Sequence, residues 1–135
     1  MFPARGTEIR ASYTFTNSDR AGAFGGLLPE YVIARHVFGF NFNQRYRAFA
    51  FNFDLNRTGA HIAPVFEIDF PYRSAELTFG GYTKADLFGS YEKKLSERWT
   101  AIVFAGADNI FNQRYFENGF LAPGVVGKAG VSLKF

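Results

Sequence analysis

Six stretches of this chain alternate apolar and polar residues with a period of two: 8–16, 36–44, 47–57, 82–92, 99–109 and 125–135. Successive side chains of a β-strand point to opposite faces, so the pattern predicts strands with two unlike faces. Each stretch runs about 9–11 residues, against about 5–6 for a usual strand, and that length suits a tilted strand crossing a bilayer. No stretch sustains a helical period, so no significant helix is expected. The connections alternate too: long at 17–35, tight at Arg45-Tyr46, long at 58–81, short at 93–98, long at 110–124. Long loops at one end and short turns at the other are the habit of outer-membrane barrels. The expected fold is all-β: an antiparallel up-and-down meander of six long strands, part of a transmembrane β-barrel and a curved open sheet if alone. The segment 62–70 could hide two more strands, but Pro64 and Pro71 interrupt it, and six is the expected count.

The two faces differ sharply. One carries Ile9, Tyr13, Phe15, Phe38, Phe40, Phe42, Phe49, Phe51, Phe53, Leu55, Leu87, Val103, Val131, Leu133 and Phe135, with small residues between them and no charge. The other carries Glu8, Arg10, Asp54, Lys84, Asp86, Glu92, Asp108, Lys128 and Lys134, with Asn41, Asn43, Asn52 and Asn56. This alternation explains how a chain with 18 phenylalanines has a mean hydropathy of only −0.10. A lipid-facing Lys or Arg at the bilayer midplane costs about 2–4 kcal/mol, so a lipid face must be free of charge. The inner face of a soluble β-sandwich would be apolar as well. Strand length, loop alternation and the aromatic residues Tyr13, Tyr91 and Trp99 at strand ends favour the membrane. No apolar run approaches the roughly 18 residues of a transmembrane helix. With no cysteine, disulfides, thiol nucleophiles and thiolate metal sites are excluded. A net charge of +3 says little about partners.

Four motifs carry a resemblance. Lys128-Ala129-Gly130-Val131-Ser132-Leu133-Lys134-Phe135 resembles the C-terminal signal read by the barrel-assembly machinery, with Lys128, Gly130, Leu133 and Phe135 at its marked positions. Ahead of it, Asp108-Asn109-Ile110-Phe111-Asn112-Gln113-Arg114-Tyr115 and then Pro123-Gly124 are similar to the closing segment of TonB-dependent receptors. There the pattern reads Asn-Leu-Phe-Asp-x-x-Tyr; Ile110 stands for the Leu, Asn112 for the Asp, and Val125 follows Pro-Gly where Arg is common. Gly81-Tyr82-Thr83-Lys84-Ala85-Asp86 through Tyr91, and Arg5-Gly6-Thr7-Glu8-Ile9 through Tyr13, resemble two earlier strands of the same family. The resemblance covers the chain almost end to end and matches the family's last six strands. It implies a parent barrel of about 22 strands, filled by a plug, in the outer membrane of a Gram-negative bacterium. Such a parent imports siderophore-bound iron, cobalamin or a similar large nutrient and engages TonB and the barrel-assembly machinery. Plug, TonB box and signal peptide are not among these residues, so a C-terminal fragment is expected, its missing neighbours being the plug and the remaining barrel strands. Outer-membrane lipid is the other expected partner. A complete small barrel serving as adhesin or anchor is the alternative, and a soluble β-sandwich binding module a remote one.

Within that frame Arg10, Asn52, Asp54, Lys84 and Asp86 are expected to face the lumen. Tyr31, His61, Glu67, Tyr72, Arg73, Tyr115 and Phe116, in the long loops, are candidate ligand contacts. Other chemistries have weaker support. Arg47-Ala48-Phe49-Ala50-Phe51-Asn52-Phe53 partly resembles an RNA-recognition octamer, but that fold needs two helices, and nucleic acid is not an expected partner. His61 with Glu67 and Asp69 lacks metal-ligand spacing, so neither metal nor cofactor is expected. Ser90 and Ser132 share the polar face while His36 falls on the other, so no nucleophile–base pair assembles and no enzyme is expected. Gly80-Gly81 and Gly25-Gly26 precede neither a Lys-Ser/Thr nor a helix, so they are hinges rather than phosphate cradles.

Overall fold

The structure, a computed structural model, describes residues 5–17, 19–21, 27–28, 31–66, 74–117 and 120–135. Among them every regular element is a strand: β1 (Arg5–Phe15), β2 (Arg20–Ala21), β3 (Leu27–Leu28), β4 (His36–Tyr46), β5 (Phe49–Thr58), β6 (His61–Phe66), β7 (Ser74–Phe79), β8 (Tyr82–Lys94), β9 (Thr100–Asp108), β10 (Phe116–Glu117), β11 (Phe120–Leu121) and β12 (Val126–Lys134). The six long strands form one antiparallel sheet in the order β1-β4-β5-β8-β9-β12. The meander and its strand count are therefore as expected. Strands β1 and β12 are its edges and do not pair with each other, so the sheet is open.

Directly paired residues in an antiparallel ladder share a face. The register runs Ile9↔Phe42↔Phe53↔Leu87↔Ala107↔Gly127 across all six strands, which joins the apolar sets into one continuous surface. Nothing among the described residues covers that surface: Ile9 is 62% exposed and Val131 66%. Rings meet along it, as in Phe40–Phe53 and Phe42–Phe51, with centroids 6.3 and 6.1 Å apart. Polar groups enter this face only near the strand ends, where Gln44 pairs with Phe51, Arg57 with Thr83 and Lys93 with Ala101.

The opposite face is less uniformly polar than the alternation suggests. Phe88 and Phe104 lie on it, centroids 5.8 Å apart, in space left by glycines. A Cβ on Gly106 would stand 2.7 Å from the Leu87 carbonyl oxygen and 3.0 Å from the Phe88 ring; one on Gly130 would stand 2.5 Å from Phe104. The rings thus cover bare backbone on the neighbouring strand.

Two sequence expectations need correcting. The first tight turn is Arg47-Ala48, not Arg45-Tyr46: β4 runs through Tyr46, which pairs with Phe49. Arg47 takes φ 53°, and two-residue hairpins place positive φ at the first central residue. The second correction concerns 58–81, where β6 and β7 form a separate hairpin with Pro64 opposite Glu76. The proline is tolerated for a local reason. The carbonyl of Ile62 accepts from Val32 N–H, on the side away from β7, and the Pro64 nitrogen two residues on points the same way. No β6–β7 ladder bond is lost there. Two further short hairpins, β2–β3 and β10–β11, stand in the other long connections. All three are therefore at one end of the sheet.

Candidate functional site

The polar face and the loop end meet at a strap formed by residues 109–117 and 120–125. Asn109 is its anchor, 2% exposed with φ 53°. Its backbone N–H donates to Asp86 Oδ1 at 2.7 Å, and its Nδ2 donates to the carbonyls of Gln113 (2.9 Å) and Pro123 (3.0 Å). Its Oδ1 accepts from Gln113 N–H at 3.1 Å. A short amide side chain tolerates the left-handed region and offers both donor and acceptor, which is why Asn serves here. Ile110 N–H donates to the Ala85 carbonyl, 2.8 Å away. Beneath the strap Tyr115 stacks on Tyr82, centroids 3.9 Å apart and planes 14° off parallel. Ala85 and Tyr115, 1% and 7% exposed, belong to the small buried core.

From the strap an open trough of about 990 Å³ runs along the polar face, lined by Arg10, Asn41, Asp54, Asn56, Lys84 and Asp86 among others. At its edge a cross-strand chain of polar side chains leads to a neighbouring hollow that Asn43 and Asn52 line. Asn52 Nδ2 donates to Asn43 Oδ1 (2.7 Å), Asn43 to Asn41, and Asn41 Nδ2 to Asp54 Oδ1 (2.6 Å). Arg10 donates to Glu8 at 2.7 Å, and Lys84 Nζ lies 3.1 Å from Asp86 Oδ2. Arg10, Asn52, Asp54, Lys84 and Asp86 thus share one face, and each finds a partner on that same face. The trough is an open, charge-balanced surface, with Arg10 and Lys84 set against Asp54 and Asp86.

The loop end holds a second cavity of about 480 Å³, lined by Leu77, Thr78, Phe79, Arg114, Tyr115 and Phe116 with Gly80 and Gly81. Of the seven candidate ligand contacts, Glu67, Tyr72 and Arg73 lie outside the described residues. The remaining four do not make one cluster. His61 stacks on Phe79 (5.5 Å, 23°), and Phe79 meets Phe116 at 5.9 Å. Tyr115 borders both cavities from beneath. Tyr31 stands apart, accepting from Arg20 at 2.6 Å under its guanidinium and bridging to Ile62. Phe79 and Arg114, which sequence reasoning did not single out, link the group. Neither sits in a pattern that marks it, because the cavity arises only where β7 meets the strap.

The four residues of the C-terminal motif all lie on β12 or just past it. Lys128 binds Asp108 at 2.9 Å, Gly130 sits under Phe104, and Leu133 and Phe135 continue the apolar face. Phe135, 93% exposed, meets Trp99 with centroids 5.2 Å apart. His36 is at the margin of the apolar face, its Nδ1 2.7 Å from the Tyr13 hydroxyl, on the opposite side of the sheet from Ser90 and Ser132. Among the described residues no three His, Asp or Glu side chains gather as metal ligands would. Comparison of the chain with protein-family models, with curated proteins and with solved structures finds no match in any of the three.

Proposed function

We propose that the chain is a sector of the wall of an outer-membrane β-barrel of the TonB-dependent receptor type, whose work is energy-coupled import of a large nutrient such as a ferric siderophore or cobalamin. The observation that carries this reading is the uncovered apolar face of the six-stranded sheet, free of charge except near strand ends. A β-sandwich buries its apolar face under a second sheet. A barrel wall gives that face to lipid and its polar face to the interior. In this reading the trough from Arg10 to Asp86 faces the plug, and the loop-end cavity with Phe79, Arg114 and Phe116 meets the incoming ligand. Strands β1 and β12 pair with further strands of the same barrel, and the motif on β12 is read by the barrel-assembly machinery.

The chain has one tryptophan, Trp99, which makes a direct test practical. The protein is refolded into vesicles whose lipids carry bromine at graded depths along the acyl chain. Trp99 is expected to be quenched most by shallow bromines. In a Trp99→Phe background, Ala105→Trp is expected to be quenched by deep bromines, and Ser90→Trp, on the other face, hardly at all. Equal quenching at positions 105 and 90, or none at either, overturns the proposal.

A further inference from the structure

We infer that the short-turn end of the sheet is a binding surface for anionic phospholipid headgroups; this rests on the membrane reading above. Six cations with described side chains lie at this end, Arg45, Arg47, Lys93, Lys94, Arg98 and Lys134, and all are exposed. Among the described residues none of them forms an ion pair. The contrast with the rest of the sheet is sharp. Arg10 pairs with Glu8, Arg35 with Asp19, Lys84 with Asp86 and Lys128 with Asp108. The carboxylates Glu92 and Glu97 share the short-turn end without closing a pair there. Elsewhere among the described side chains Arg20 and Arg57 donate to the Tyr31 and Thr83 hydroxyls and only Arg114 has neither kind of partner, so unpaired cations concentrate at the short-turn end, open to an external anion.

The neighbours of the cations say which anion. The last rows of the apolar face before the turns are aromatic. Phe49 meets Tyr91 at 4.7 Å and Trp99 meets Phe135 at 5.2 Å. The Arg47 guanidinium lies 5.3 Å from the centre of the Tyr46 ring. Lys93 is on the apolar face itself, two pairs beyond Tyr91↔Val103 and opposite the small Ala101. Lys94 and Arg98 flank the turn tip, where Leu95 is exposed. Arg45 and Lys134 belong to the polar face, beside Glu92 in a hollow of about 280 Å³ that Arg47 also borders, and the rim itself is Arg47, Lys93, Lys94 and Arg98. So apolar surface, aromatic margin and unpaired cation follow one another along the strands. An amphiphile with a phosphate head has the same order: acyl chain, glycerol level, negative charge. Free phosphate or nucleic acid would use the cations and leave the apolar surface unused.

Trp99, beside Arg98, reports the test. The chain is titrated with neutral phosphatidylcholine vesicles and with vesicles containing phosphatidylglycerol. The salt is about 0.01 M, where the Debye length is about 30 Å, and then about 1 M, where it is about 3 Å. The expected result is uptake by the anionic vesicles that is about tenfold or more stronger at low salt and equal at high salt. Combining Arg47→Gln, Lys93→Gln, Lys94→Gln and Arg98→Gln should abolish the preference and leave uptake by neutral vesicles unchanged. Equal uptake by both vesicles at low salt overturns the inference alone, as does a preference that survives in the combined variant. Displacement from anionic vesicles by inorganic phosphate or by a single-stranded oligonucleotide also overturns it. Failure of Trp99 to enter either bilayer overturns the inference together with the membrane reading.

Discussion

Asn109 shows what a single residue does in this sheet. It ends β9, turns the chain through a positive φ and ties the strap to β8 and to itself. In the sequence it is one polar letter of a motif; its burial depends on Gln113 and Pro123 returning over it. Asn109→Gly keeps the backbone conformation and removes three side-chain hydrogen bonds, at a cost of about 2–3 kcal/mol. Faster hydrogen exchange of the amides at 110–116 in the detergent-folded protein is the expected readout, with Asn109→Ala worse than Asn109→Gly because it adds strain at φ 53°. Gly106 is a second case. Its substitution by Ala drives a methyl against the Leu87 carbonyl and should lower stability by about 1–3 kcal/mol in a urea titration. Gly127→Ala, which meets nothing within 4 Å, should leave the midpoint unchanged. The alternation marks both as strand glycines and does not distinguish them, because what a Cβ would hit belongs to the next strand.

At the scale of elements, alternation specifies a strand and its faces but not where the strand stops. Each of the long strands was legible to within three residues, since a period of two leaves only one assignment of faces. The first turn fell two residues later than the pattern suggested, because the turn is set by which residue accepts positive φ, here Arg47. The hairpin β6–β7 was missed for a related reason. A proline counts against a strand only if its nitrogen faces a partner, and the side it faces is a matter of pairing. The faces themselves yield a prediction. In vesicles, Ala105→Arg should cost about 2–4 kcal/mol of folding stability in a urea titration, since it puts a guanidinium among acyl chains. Ser90→Arg, on the other face and near the same depth, should cost well under 1 kcal/mol, because a wet surface solvates the charge. Similar losses for the two variants would contradict the assignment of faces.

At the scale of the whole molecule, the decisive fact is that a sheet with two long unpaired edges has almost no interior. Apart from the buried Ala34, Ala85, Asn109 and Tyr115, its described side chains keep contact with the surroundings. Stability must come from what meets the faces and edges. A closed barrel resists sodium dodecyl sulfate until boiled; an open sheet frays from β1 and β12. Boiled and unboiled samples of the detergent-refolded chain are therefore expected to migrate together on a gel, and a faster unboiled band would indicate closure. The sequence by itself determined the all-β class, the six long strands, their alternating connections and which residues share each face, because these follow from the two-residue period of extended backbone. Only the tertiary structure decided that the edges stay apart, that Phe79 and Arg114 join the loop-end cavity, that Asn109 is buried, and that the turn-end cations form no ion pair among the described residues. Those are relations between residues distant in the chain, and spacing along one strand carries no information about what the neighbouring strand or loop brings to it.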